Sequence, residues 1–141
     1  MEKYNQKPDP LREKTLNLAV RIVKLSKYLT QEKNEYVLSK QVIRSGTNPG
    51  AMVREAANAE SGLDFIHKLS IAQKEAGETL YWLELLFKTN YLATNEYESI
   101  YADTEEILRL LKSSILTRKK TLAAKTASAL TLLALITYCI F

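Results

Sequence analysis

The chain has 141 residues, of which 46% are apolar and 26% are charged, with only 4 Gly and 3 Pro. This composition predicts one compact domain, large enough to form a core without disulfides. The single cysteine, Cys139, excludes an intramolecular disulfide and a Cys-rich zinc site, and the single histidine, His67, excludes sites that need two imidazoles. The opening MEKYNQKPDP is polar and does not resemble a signal peptide, so we expect a cytoplasmic protein.

The charges are distributed unevenly along the chain, whose net charge is +4. Residues 11–33 carry six basic and two acidic side chains, whereas residues 95–116 carry two basic and five acidic ones. Residues 117–141 carry four basic side chains and no acidic one, so the part before them is neutral overall. A neutral body argues against indiscriminate binding of polyanions, although a one-sided field still steers a nucleic acid or a second copy of the protein.

The first helix is predicted to begin at Asp9 and Pro10. An Asp side chain accepts hydrogen bonds from the free amides of the first turn, and Pro at the first helical position lacks the amide that would need a partner. Apolar residues then recur in steps of four and three, the spacing of a bundle seam. The seam consists of Leu11, Thr15, Leu18, Ile22, Leu25 and Leu29. The polar connection 30–34 is short, so the next helix should return antiparallel.

The second segment contains Ser45-Gly-Thr-Asn-Pro-Gly50, which taken alone is typical of a loop. The same four-three step nevertheless continues on both sides of it, at Leu38, Val42, Ser45, Pro49, Met52 and Ala56. We therefore expect one helix over about 35–59, bent at Pro49, with Gly46 and Gly50 allowing close approach of a neighbour. Two short helices meeting at an elbow are the alternative.

Two further helices follow. Ser61 and Asp64 form a capping pair for the third helix, and residues 89–91 end it. Thr94 or Asn95 caps a fourth helix. The seam of the third consists of Ile66, Leu69, Gln73, Ala76, Leu80, Leu83 and Phe87, and that of the fourth of Tyr97, Tyr101, Thr104, Ile107 or Leu108, Leu111 and Ile115. No segment alternates with period two. The expected fold is all-α, an antiparallel up-down four-helix bundle over residues 1–118 with an extra apolar C-terminal helical tail.

The tail, residues 119–141, is basic at first and then apolar. Residues 126–141 are 16 positions without a charge, apolar on every side of a helix. As a membrane anchor they would reach about 24 Å, short of the roughly 30 Å hydrocarbon core, although Lys125 could extend the span by snorkelling. Packing onto the bundle or a partner copy, and a poorly ordered extension, are the other two interpretations.

The sequence gives little support for a catalytic or a metal-binding site. Asp64 and His67 share a helix face, but a di-metal bundle site needs a second His that this chain lacks. The same single His would have to serve any nucleophile, base and acid triad. The carboxylates of the second and third helices, Glu55, Glu75, Glu78 and Glu84, are more typical of surface ion pairs than of acid-base catalysis. We expect no enzyme activity, no cofactor and no metal site.

Basic side chains are the strongest candidates for a binding role. Lys14, Arg21 and Lys24 lie on the first helix, and Lys40, Arg44 and Arg54 lie on the second. They either form a solvated face or contact the phosphates of a nucleic acid, with an affinity that falls steeply with salt. A ring of subunits would multiply these few charges. Tyr81 and Trp82 are expected in the bundle or in a subunit interface.

Two stretches carry a resemblance to a known family. They are QVIRSGTNPGAMVREA, residues 41–56, and DFIHKLSIAQKEAGETLYWLELL, residues 64–86. They resemble the bacterial four-helix bundle family of proteins encoded in intervening sequences of 23S ribosomal RNA genes, also termed S23 ribosomal proteins. They are also similar to the accessory variability determinant proteins of diversity-generating retroelements. The resemblance covers about residues 8–118 and leaves the tail outside.

The resemblance implies a cytoplasmic bundle that assembles as a homopentameric ring. In the retroelement branch it also implies binding of a reverse transcriptase and its RNA through basic residues. Together with the basic helix faces, it leads to the expectation of a non-enzymatic homo-oligomeric scaffold that binds structured nucleic acid, RNA above all. The alternative is an interaction oligomer that binds no nucleic acid and is tethered or assembled through its apolar tail.

Overall fold

A computed structural model describes the backbone of residues 9–140 and the side chains of residues 9–133. Within this range the chain forms four α-helices and no strand. They are α1 (Pro10–Gln31), α2 (Leu38–Ala57), α3 (Gly62–Lys88) and α4 (Thr94–Ile140). The all-α four-helix bundle predicted from the sequence is confirmed.

Contacts between the helices define the topology. Each helix packs against the one that follows it, and α4 packs back against α1, while α1 and α3 make no such contact with each other and neither do α2 and α4. The helices therefore occupy the corners of a square, with α1 diagonally opposite α3. Lys14 contacts Glu106 and Arg21 contacts Ser99, so residue numbers rise along α1 as they fall along α4. Contacts between the other neighbouring pairs run in the same opposed order. Neighbouring helices are thus antiparallel, as expected of an up-down bundle.

The first helix matches the sequence prediction closely. The Asp9 carboxylate accepts hydrogen bonds from the amides of Leu11 and Arg12 at 3.1 Å each, and Pro10 is the first helical residue. The buried residues of α1 are the six predicted seam positions. One of them, Thr15, is polar, and its hydroxyl donates to the Leu11 carbonyl at 2.8 Å. A buried hydroxyl that bonds its own helix adds no unsatisfied group to the core.

The second helix is continuous through Pro49, so the alternative of two helices meeting at an elbow is wrong. It begins at Leu38 and not near residue 35, because the Glu35 carboxylate accepts hydrogen bonds from the amides of Val37, Leu38 and Ser39 and thereby caps the first turn. A Cβ on Gly46 would lie 2.6 Å from Cγ1 of Ile22 in α1. The missing side chain is therefore what allows α1 and α2 to approach so closely.

The third helix begins as predicted, with the Ser61 hydroxyl accepting from the Asp64 amide at 3.0 Å. Its buried stripe is displaced from the predicted seam and contains Leu69, Ala72, Glu75, Ala76, Thr79, Leu83 and Leu86. The predicted positions Ile66, Gln73, Leu80 and Phe87 are half-buried. Asn90 ends the helix with a φ of 63°, a conformation that Asn tolerates better than most residues.

The fourth helix runs for 47 residues, much further than its neighbours. The side chains that it buries against the other helices are Ile100, Thr104, Ile107, Leu111 and Ile115. The helix continues through the expected boundary at residue 118 without a break. From residue 123 to residue 133 every side chain is exposed, so this stretch projects beyond the bundle. Predictions that concern the side chains of residues 134–141, including Cys139, fall outside the described part of the tail.

Candidate nucleic-acid interface

Two of the six candidate basic residues bridge α1 to α4. Lys14 forms an ion pair with Glu106, with 3.0 Å between Nζ and Oε2. Arg21 is bound more extensively: its Nη1 pairs with Asp103, and its Nη2 donates to the Ser99 hydroxyl at 3.0 Å. These contacts join the basic first helix to the acidic fourth helix. Both ion pairs are partly exposed to solvent, so each contributes only about 1 kcal/mol or less to the stability of the bundle.

Lys24 lies one helical turn after Arg21 and has no ion-pair partner among residues 9–133. It lines a groove of about 430 Å³ between α1 and α4 together with Arg21. The apolar walls of the groove come from Leu25, Leu92 and Ile100. Thus the α1/α4 face presents one arginine held in a fixed position and one unpaired lysine beside it.

A second basic group lies between α2 and α3. Arg44 pairs with Glu78 and lies 3.6 Å from Glu75, measured from Nη1 to Oε2. The Glu75 side chain is only 10% exposed, whereas that of Arg44 is 55% exposed. Trp82 donates its indole N–H to Glu78 at 3.2 Å, so the carboxylate that holds Arg44 is itself held. The guanidinium is therefore positioned at the surface by a small polar network.

The two remaining candidates on α2 differ from each other. Lys40 is exposed one turn before Arg44 and, like Lys24, finds no ion-pair partner in the described chain. Arg54 is half-buried and donates from Nη1 to the Gly50 carbonyl of its own helix at 2.9 Å. Lys40 and Arg44 consequently form a pair that mirrors Arg21 and Lys24 on the other side of the bundle.

The six residues do not form one continuous surface on a protomer. The α1/α4 face and the α2/α3 face lie on opposite sides of the square, and Lys14, Arg21 and Arg44 share their charge with acidic neighbours. Sequence reasoning identified the cations and expected Glu75 and Glu78 in ion pairs, but it did not assign them to Arg44. It missed Asp103 and Glu106 as partners of Arg21 and Lys14. The excess of acid in residues 95–116 indicated that such pairs exist, but only the packing of α4 against α1 shows which residues meet.

The aromatic and titratable residues complete the description of the site. Trp82 packs against the core and contacts the ring of Tyr81 edge to face, with 4.8 Å between centroids, while Tyr81 itself is 57% exposed. His67 is exposed on the outer face of α3. Nowhere in the described chain do three or more His, Cys, Asp or Glu side chains approach closely enough to hold a metal ion.

Comparison with known proteins identifies the family. The chain matches the family model of the 23S rRNA-intervening sequence protein over residues 11–113. It belongs to that family. A crystal structure of a protein of unknown function from the S23 ribosomal protein family of Bacteroides thetaiotaomicron is similar to it at 55% sequence identity and a TM-score of 0.74. The similarity covers 74% of this chain and 94% of that one. No curated protein matches this member of the family.

The family match ends at residue 113, before most of the long extension of α4. Residues 126–141, for which a membrane anchor was one of three interpretations, lie within this extension and run past the last described side chain. Among the residues that the structure describes, no helix is both long enough and apolar enough to cross a bilayer.

Proposed function

We propose that this protein is a non-enzymatic, homo-oligomeric helical scaffold of the cytoplasm that binds structured nucleic acid, RNA in preference to DNA. It would act beside ribosomal RNA or as an accessory to a reverse transcriptase. The family name, which refers to intervening sequences of 23S rRNA, supports an association with RNA. The observation that carries the proposal is the repeated pairing of an anchored arginine with an unpaired lysine one turn away.

Arg21 with Lys24, and Lys40 with Arg44, have the properties that phosphate contacts require. Each arginine is held in position by carboxylates, so little side-chain entropy is lost when it meets a phosphate. Each lysine is exposed and unpaired within the described chain, so it meets a phosphate without breaking an ion pair. Recognition would rest on the shape and charge of the RNA, as is usual for the helical parts of structured RNA.

An oligomer would place several copies of these pairs on one surface. The outer face of α1 carries Leu16, Val20 and Val23, which are 49%, 47% and 36% exposed. On the outer face of α3, a Cβ on Gly77 would meet nothing within 4 Å, so no contact with the described residues accounts for a glycine there. Exposed apolar residues on one helix and a small residue on the diagonally opposite helix suit a head-to-tail contact, which forms a ring when the rotation between subunits closes. Both features support a contact between copies of the chain; the number of five subunits is what the family resemblance implies.

The test of RNA binding uses the two unpaired lysines. Lys24→Glu with Lys40→Glu removes two proposed phosphate contacts without disturbing any described ion pair. Lys74→Glu with Arg109→Glu, on the outer faces of α3 and α4, is the control with the same change of charge. We expect the first variant to bind a structured RNA more weakly in a salt series and to show a slope reduced by about two. Equal affinity of the two variants would refute the assignment of these lysines.

Arg21 and Arg44 need a separate comparison because they also stabilise the bundle. Arg21→Glu with Arg44→Glu should weaken RNA binding while leaving the helical circular dichroism at 25 °C unchanged. Three ion pairs are lost, that of Arg21 with Asp103 and those of Arg44 with Glu78 and Glu75. At about 1 kcal/mol for each, the loss is about 3 kcal/mol, less than the stability of a typical domain. Unchanged affinity in a folded double variant would remove these arginines from the interface.

The oligomer has its own test. Val20→Glu places a charge in the middle of the exposed apolar stripe of α1, and Val37→Glu introduces the same change at a position that is 69% exposed near the start of α2. Light scattering should give a multiple of the 16.0 kDa protomer mass, five-fold for a pentamer, for the wild type and Val37→Glu. Val20→Glu should give a lower mass. An oligomer retained by Val20→Glu would exclude the α1 stripe from the interface.

A second function is favoured by the projecting part of α4. Leu130, Leu132 and Leu133 are 62%, 60% and 60% exposed, and the basic residues Lys119, Lys120 and Lys125 precede them. We propose as the alternative an interaction oligomer without nucleic acid, which the tail either tethers to a membrane through residues 126–141 or assembles by contact with other copies. Exposed leucines on a projecting helix favour either kind of partner.

Leu130→Glu with Leu132→Glu tests this alternative in the full-length protein. Sedimentation with vesicles of phosphatidylglycerol and phosphatidylcholine reports on tethering, and light scattering reports on assembly. The alternative predicts that the wild type either pellets with vesicles or has a larger mass than the variant. If the two proteins behave identically in both measurements, the tail has neither role and the RNA-binding scaffold stands alone.

A further inference from the structure

Arg118 lies where α4 passes the first turn of α3. Its guanidinium lies over the Phe65 ring, with 5.5 Å between Cζ and the ring centroid. Its Nε is buried and has no hydrogen-bond acceptor among the residues that the structure describes. A Cβ on Gly62, the first residue of α3, would lie 3.2 Å from that Nε. The side chain is therefore packed closely against the N-terminal turn of α3.

This position brings two positive charges together. The N-terminus of a helix carries the equivalent of roughly half a positive charge, and the guanidinium is always protonated. No carboxylate forms an ion pair with Arg118 in the described chain. The acid of the first turn, Asp64, instead accepts from the Glu60 amide at 3.3 Å. A cation that lies at a helix N-terminus and has no carboxylate partner is an environment that favours a bound anion.

A cavity of about 340 Å³ lies beside this arginine. Its lining consists of Phe65, Ser113, Ser114, Thr117, Arg118 and Thr121. The hydroxyls of Ser113, Ser114 and Thr117 donate no hydrogen bond to any described residue, while that of Thr121 donates to the Thr117 carbonyl at 3.0 Å. Hydroxyl groups combined with a guanidinium are the donors that proteins use for phosphate oxygens. The volume corresponds to about ten water molecules, enough for a phosphate group and its remaining hydration.

We propose that this cavity is a binding site for a phosphate group, with Arg118 as the cation and Ser114 and Thr117 as hydroxyl donors. These three residues lie beyond residue 113, where the family match ends, so the site is a feature of the α4 extension. Free phosphate and the backbone phosphate of an RNA share the required chemistry. That the RNA backbone is the natural source rests on the proposed function, whereas the site itself does not.

The test begins with inorganic phosphate and the full-length protein. Phosphate is titrated at constant ionic strength, with chloride as the compensating anion, while the Arg118 Nε–H and the Ser114 and Thr117 amides are followed by NMR. Arg118→Met keeps an unbranched stem over Phe65 but removes the charge, and Lys119→Met is the neighbouring control with the same change of net charge. We expect saturable shifts in the wild type and in Lys119→Met, and binding about tenfold weaker or more in Arg118→Met.

Two results would overturn the site: no saturable shift in the wild type, or equal phosphate affinity in Arg118→Met and Lys119→Met. A structured RNA then identifies the source. If Arg118→Met also binds RNA more weakly than Lys119→Met does, with a salt slope lower by about one, the cavity takes a backbone phosphate. If the two variants bind RNA equally but differ toward phosphate, the cavity takes free phosphate. Because the phosphate titration contains no RNA, this site and the proposed function fail independently.

Discussion

Glycines inside helices offer the sharpest test of the packing, because the structure predicts opposite effects for the same substitution. Gly46 faces α1 in the interior of α2, whereas Gly77 lies on the exposed outer face of α3. Alanine is favoured over glycine in a helix interior by about 1 kcal/mol. For Gly77→Ala nothing in the described part of the chain opposes this gain. Under conditions in which light scattering shows a monomer, the variant should be more stable than the wild type by about 0.5–1 kcal/mol, whereas a subunit contact at Gly77 would reduce the gain.

Gly46→Ala gains the same helix propensity but meets Ile22. The new Cβ would lie 2.6 Å from Cγ1 and 2.9 Å from both Cδ1 and Cγ2 of that side chain. Ile22 is 0% exposed and β-branched, so no other low-energy rotamer of its side chain would relieve these contacts. Overpacking of a core costs about 1–3 kcal/mol, and three close contacts favour the upper end of that range. We expect a net loss of about 2 kcal/mol, which separates the two variants by about 3 kcal/mol.

Urea unfolding of both full-length variants, followed by far-ultraviolet circular dichroism at one protein concentration, measures this difference. In thermal unfolding, the stability difference of about 3 kcal/mol corresponds to midpoint temperatures about 10 °C apart for a chain of this size. Ile22→Ala supplies an internal check, since it removes the three atoms that the new Cβ would meet. The double variant should be more stable than the sum of the single effects by at least about 1 kcal/mol. Gly46→Ala and Gly77→Ala variants of equal stability would refute the close approach of α1 and α2.

Three further measurements address the capping residues and one buried hydroxyl. Asp9→Ala leaves the first amides of α1 without an acceptor and should lower the free energy of unfolding by about 1 kcal/mol. Asp9→Ser supplies a new acceptor and should retain most of the wild-type stability. The pKa of Glu35 is lowered: burial opposes the shift, but hydrogen bonds from the amides of Leu38, Ser39 and Val37 outweigh it. A depressed folded-state pKa gives stability that is present above the unfolded-state value and disappears as the pH falls through the folded-state value. Glu35→Gln should therefore be less stable than the wild type at pH 7, and urea titrations should show the gap narrowing below about pH 4; a constant gap would contradict this role. Thr104→Val should change stability by less than about 1 kcal/mol, because the lost hydroxyl bonds only the Ile100 carbonyl of its own helix, and a loss above 2 kcal/mol would contradict that account.

The sequence predicted the structure best in segments where a single physical requirement determines which residues are buried. The four-three step of α1 predicted every buried residue of that helix, because its one apolar face packs into the core. The same periodicity correctly predicted that α2 continues through Pro49, against the local preference of its Gly and Pro residues. Periodicity was less accurate for α3, where Glu75 and Thr79 are buried and several apolar residues flank them. On α3 two adjacent stripes of side chains are nearly equivalent in sequence, and packing against the neighbouring helices determines which of them is buried.

The candidate site was predicted less completely than the fold. The basic residues of α1 and α2 are visible in the sequence, but their partners depend on which helices are neighbours. Arg21 meets Asp103, 82 positions away, only because α4 returns beside α1. Glu35 was overlooked as a capping residue because its side chain reaches forward over three amides, an arrangement that no spacing rule indicates. Arg118 was interpreted only as part of a basic stretch, since its contact with Phe65 depends on α4 extending past the start of α3.

The unbroken course of α4 fixes the rotational phase of its projecting end. Each residue of a helix turns the chain by about 100° and advances it by about 1.5 Å. A one-residue insertion after Leu122, the last side chain seen against α3, would therefore turn every position beyond it by about 100° while leaving the bundle intact. Insertion of a further two or three residues would nearly restore the original direction. A partner that binds the projecting end of this helix is thus held at a defined angle to the basic faces of the bundle.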